Sequence, residues 1–172
     1  MRWERVGIII LLTSLLNAGN LLNAIAIGDN NIRPDLLLIL MVFFAINGGT
    51  LEATIVSFII GFTADISSAV MGPAMISFGL FGTLISQFRK VVIMHRMTHQ
   101  ALAIFVMSIA AGALTQILTH FKTGLDTTNV FSALLWTAVY SGLIGPLIWA
   151  MFSAISQWLG IRAYKSARLS GR

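Results

Sequence analysis

The residues able to do chemistry in this 172-residue chain are few and far apart. Its six acidic residues stand singly, so no paired carboxylates are set up for acid–base work or for magnesium. His95, His99 and His120 come without an acidic pair to complete a metal site. His95 and His99, four apart, can share a helix face, while His120 lies well away from both. Cysteine is absent, which excludes a disulfide, a thiolate zinc site and a thiol nucleophile. There is no G-x-S-x-G elbow, no H-E-x-x-H and no phosphate-binding loop. No row of charges marks an ion path. The expectation is a protein that is not an enzyme, with no catalytic residue, no metal and no cofactor.

The informative polar residues instead punctuate apolar runs. Arg33-Pro34-Asp35 opens a run from Leu36 to Ile46, and Asn47 to Glu52 forms a short break. A second run, Ala53 to Ala64, ends on Asp65, and Gly72-Pro73 closes the unit. This reads as a helical hairpin with Arg33, Asp35 and Asp65 at one end. Pro34 suits a first helical turn, where a missing N–H costs nothing, and Asp35 suits the positive helix terminus. Ala53, Ser57, Gly61 and Asp65 recur every fourth residue, a small-residue face that lets helix backbones approach closely. Asp65 then either pairs with Arg33, clamping the hairpin ends, or caps a loop. Glu52 falls in the opposite turn, solvated or available to a cytoplasmic partner. Nearer the N-terminus, Ser14, Asn17, Asn20 and Asn23 recur every third residue. That stripe is either interhelical glue or a polar groove or partner seam.

The elements that carry these residues belong in a membrane. Hydrophobic residues make up 57% of the chain and charged ones 10%, with mean hydropathy +0.88. Soluble domains carry roughly 25% charged residues, so this chain lacks a water-facing surface. The net charge of +5 collects at segment ends, which fits membrane orientation and not nucleic-acid binding. A single multi-pass domain over residues 1–172 is expected, with spans near 6–28, 34–48, 51–66, 73–88, 101–119 and 130–159. The first run also has the shape of a signal peptide, with Ala24-Ile25-Ala26 resembling a cleavage site. The uncharged stretch 127–161 suits one long tilted helix, kinked at Gly145-Pro146.

Charge parity favours six uncleaved spans with both termini inside. Arg2, Arg5, Arg89, Lys90, Arg96, Arg162, Lys165, Arg168 and Arg172 then lie inside, against Arg33 and Lys122 outside. Trp3 and Trp158 fall near the inner interface and Trp136 nearer the outer one.

Arg33-Pro34-Asp35-Leu36-Leu37-Leu38, Gly61-Phe62-Thr63-Ala64-Asp65 and Met71-Gly72-Pro73 together resemble the bacterial rod shape-determining MreD family. Carried over by position, the family motif falls on Arg33, Pro34, Asp35, Gly61, Asp65, Gly72 and Pro73. The resemblance implies an all-α integral membrane protein of the bacterial inner membrane. Its six-helix bundle would be like the S-component, the substrate-binding subunit of energy-coupling-factor vitamin transporters. It also implies a non-enzymatic scaffold of the cell-elongation machinery. The implied partners are the MreC transmembrane helix, MreB filaments, the glycosyltransferase RodA and a penicillin-binding transpeptidase, amid membrane lipid. Asn17, Asn20, Asn23, Ala53 and Ser57 match no family motif and are candidates for helix packing or a partner seam. A vitamin-capture subunit sharing the fold is the alternative function; it requires a polar pocket near the outer loops.

Overall fold

The computed structural model describes residues 2–18, 34–68, 70–88, 97–124 and 130–156. These form six α-helices: α1 (Trp3–Ala18), α2 (Leu36–Asn47), α3 (Thr50–Ile66), α4 (Pro73–Phe88), α5 (Met97–Thr123) and α6 (Val130–Ser156).

The bundle is arranged around α2. Its sequence is apolar on every side, and a helix of that kind has to be enclosed. Leu37 through Ala45 are nine consecutive buried residues. Accordingly, α2 touches each of the other five helices. At 12 residues it is about 18 Å long, well short of a bilayer's hydrocarbon core of about 30 Å. Because protein surrounds α2, its length is not dictated by lipid.

Two contacts tie α2 to α6, which runs parallel to it. At the start of α2, the Asp35 N–H donates to Ser141 Oγ at 2.9 Å. Two turns further on, the Phe43 ring meets Trp149 edge-on at 5.1 Å and Phe152 at 5.7 Å between centroids. Such aromatic pairs add roughly 0.5–1.5 kcal/mol beyond their buried area. The hairpin link is tight. The Gly48 N–H closes α2 on Phe44 O at 2.8 Å, and Glu52 Oε2 accepts from the Gly49 N–H at 3.4 Å to start α3. Glu52, expected in the turn itself, is thus part of the helix start.

Other expectations need correction. Pro34 is not in the first helical turn: it precedes Asp35, whose extended backbone (φ −84°, ψ 92°) and side chain form the N-cap. Capping by Asp35 Oδ1, which accepts from the Leu38 N–H at 3.1 Å, pushes the helix start to Leu36. α5 exceeds the run expected at 101–119. It carries His99, His120 and Lys122 within the helix, since long polar side chains reach water from a helix end. α6 continues through Pro146 as one helix.

α5 and α6 contain stretches, His99–Thr123 and Ser132–Ile155, long and apolar enough to cross a membrane. Most of each stretch faces outward, and on α6 Leu143, Leu147 and Met151 form a stripe more than 60% exposed. Apolar exposure on this scale belongs to a lipid-facing surface.

In lipid, the penalty for shrinking a core residue is the cavity left behind, because lipid is as apolar as the bundle interior. Phe43→Ala opens roughly 100 Å³, which at about 24 cal/mol per Å³ costs about 2 kcal/mol. Leu143→Ala, on the exposed stripe, should stay within about 0.5 kcal/mol of the parent. Denaturation in detergent micelles, run on both variants, checks the contrast.

Candidate functional site

The motif residues of the second and third apolar runs come together where α3 ends and α4 begins. α4 opens with Gly72, Pro73, Ala74 and Met75. A helix leaves its first N–H groups without partners, and away from water these must be satisfied by protein. Gly72 has no side chain with which to cap, and Pro73 has no N–H to satisfy. The remaining first-turn donors fall to Asp65, on the last turn of α3. Asp65 Oδ1 accepts from the Ala74 N–H at 2.9 Å and Oδ2 from the Met75 N–H at 2.8 Å. The Ile76 N–H then makes the first intrahelical bond, to Gly72 O at 3.1 Å. Every early donor of α4 is thereby matched. The carboxylate is 1% exposed and sits at the positive end of the α4 dipole, where a negative charge is favoured.

The small-residue row makes this reach possible. A methyl group at Gly61 would lie 2.7 Å from both Ala74 O and Met75 Cα, so only glycine lets α3 come so close. Two turns before Asp65, Ser57 packs against Gly82 with no room for a side chain there. Ser57 satisfies its own hydroxyl on Ala53 O at 2.8 Å. Gly72 has φ +113°, a backbone shape that costs other residues about 1–3 kcal/mol. Lys122 Nζ, from the far end of α5, donates to Met71 O and holds the α3–α4 loop from outside.

The structure therefore gathers Gly61, Asp65, Gly72 and Pro73 into one clasp, while Pro34 and Asp35 form the start of α2. Ala53 and Ser57 are fully buried within the bundle. Asn17 is half-buried on α1. Arg33, Asn20, Asn23 and His95 lie outside the described residues. Both oxygens of Asp65 are engaged by backbone N–H groups, the capping alternative for this residue. Sequence reasoning missed Ser141, Phe43 and Gly82. For the clasp a signal existed: a Gly-Pro helix start with no capping side chain, seven residues after an aspartate.

Asp65→Asn offers one acceptor oxygen in place of two and turns an amide N–H toward a backbone N–H. The expected loss is about 1–3 kcal/mol of stability. A charge swap, Arg33→Asp with Asp65→Arg, should fail to restore it, since a guanidinium accepts no hydrogen bond. Melting temperatures of the three proteins decide between cap and ion pair: rescue by the swap would refute the cap as the dominant role.

Among family models, the one described as rod shape-determining protein MreD matches residues 1–158. No curated protein and no solved structure matches the chain. The match takes in all six helices, the Asp35 cap and the α3–α4 clasp. The chain belongs to the MreD family of membrane proteins, whose role is in determining rod shape.

Proposed function

We propose that this chain crosses the bacterial inner membrane six times, with both termini in the cytoplasm, and serves the cell-elongation machinery as a non-enzymatic scaffold. In this reading it holds the MreC transmembrane helix. It thereby links cytoplasmic MreB filaments to RodA and the penicillin-binding transpeptidase that build the side wall. The observation that carries the reading is the family match over residues 1–158. The outward apolar faces of α1, α5 and α6 support it, since a scaffold that captures a transmembrane helix needs such surface in lipid. With Ala53 and Ser57 enclosed, docking falls to exposed faces such as Ile8, Leu11, Leu12 and Leu15 on α1. Six helices wrapped on one another also support the S-component likeness as a working fold. In it, the short α2 stays shielded and the others meet lipid.

Depletion of the chromosomal copy in a rod-shaped host tests the function. Cells should widen into spheres and regain their width when the wild type is supplied; rods of unchanged width would rule out a role in side-wall growth. Topology is tested separately, in a chain with no native cysteine to interfere. Thr123→Cys should react with a membrane-impermeant maleimide in intact cells and Arg168→Cys only after permeabilisation. The opposite pattern would invert the proposed orientation.

A further inference from the structure

At the end of the bundle where α2 and α4 begin, a gap lies between the helix pairs α3–α4 and α5–α6, which meet through α4 and α5. α3 packs on neither α5 nor α6, and α4 does not reach α6. The gap holds a cavity of about 420 Å³, within the roughly 300–1,000 Å³ range of small-molecule sites. Its walls are largely apolar, but Asp35, Ser108, Thr115, Gln116 and Thr137 all line it. Ser108, Thr115 and Gln116 share one face of α5, at i, i+7 and i+8, so the polar set is built from regular helix spacing.

Ser108 is 3% exposed, Thr137 is half-buried and Gln116 is exposed. Among the described residues no side-chain N or O atom is both buried and unpartnered, so the polar atoms left for a ligand are those that open onto the cavity. Thr115 already donates to Ala111 O at 2.8 Å, which leaves its oxygen as an acceptor. Asp35 offers two carboxylate oxygens, of whose acceptor positions the Leu38 and Leu37 N–H groups take two. The lining is thus rich in acceptors, carries one carboxylate and, among the described residues, includes no cationic side chain. An ionisable group inside a membrane protein calls for a partner of opposite charge.

We propose that this cavity is a binding site for a primary ammonium group, carried by a small free amine or by the headgroup of an aminophospholipid. The ammonium sits against Asp35, with its remaining N–H groups on the hydroxyl and amide oxygens of α5 and α6. A quaternary ammonium, with no N–H to donate, is excluded on the same chemistry. This goes beyond the scaffold reading and does not depend on it.

The test uses the purified full-length protein. In nanodiscs holding phosphatidylethanolamine and phosphatidylglycerol in equal amounts, native mass spectrometry reads which lipid stays bound. In detergent, ethanolamine and glycerophosphoethanolamine are titrated against the melting temperature, with glycerophosphocholine as control. Retention of phosphatidylethanolamine identifies the lipid source; a saturable melting shift with ethanolamine and no retained lipid identifies a free amine. Asp35→Asn keeps a capping side chain, removes the charge, and should weaken binding by about tenfold or more. Thr137→Val, remote from any cap, should weaken it as well. The proposal is overturned by no binding in the wild type, by equal binding of glycerophosphocholine, or by binding that Asp35→Asn leaves intact. It also fails if amines bind only to Arg33→Gln, for then the chain's own guanidinium fills the cavity.

Discussion

No water is at hand inside a bilayer to satisfy a backbone N–H, so a helix that begins within the bundle must find its acceptors in the protein. α4 begins on glycine and proline and brings none of its own. Asp65 answers that requirement from the preceding helix, placing one oxygen on each of two adjacent N–H groups. The rest of the α3–α4 unit follows from bringing this carboxylate within reach. Gly61 removes the side chain that would hold the helices apart, and Gly72 supplies the backbone turn. A row of small residues and a lone aspartate, each unremarkable alone, acquires a joint meaning as a clasp.

A second carboxylate does the same for α2 at the same end of the bundle. Asp35 caps its own helix, and its N–H is held by Ser141 across the bundle. Two helix starts capped by two aspartates stand at this end of the molecule, beside an open volume. That volume lies between α3–α4 and α5–α6. At the other end of α2, aromatic packing of Phe43 on Trp149 and Phe152 seals the same helix pair.

Helices and their breaks were legible in the sequence because apolar runs, Gly-Gly links and prolines are local signals. The hairpin of α2 and α3 and the small-residue face of Ala53, Ser57 and Gly61 leading to Asp65 could be read from spacing alone. The central place of α2 could not. In lipid an apolar residue is equally at home facing a tail or a neighbouring helix, so hydropathy does not separate Phe43 from Leu143. The Asp35–Ser141 bond joins residues 106 positions apart, and no periodicity announces such a pair. Asp65 stands out in the sequence, but its partners among the described residues are backbone groups, invisible to a search for opposite charges. The start of α2 was misplaced onto Pro34 because proline's preference for a first turn is weaker than a true side-chain cap at Asp35.

The unequal helix lengths have a consequence for the membrane itself. α3 and α4, of 17 and 16 residues, extend about 25 Å, whereas α5 and α6, of 27 residues each, extend about 40 Å. A hydrocarbon layer of about 30 Å is too thick for the first pair and too thin for the second. In the proposed six-span arrangement, the short side would draw the bilayer inward and the long side would tilt or thicken it, each at fractions of a kcal/mol per Å. In that arrangement the protein would sit in a wedge of lipid, thin along one flank and thick along the other. A neighbouring transmembrane helix would be sorted by its own length to the flank that matches it.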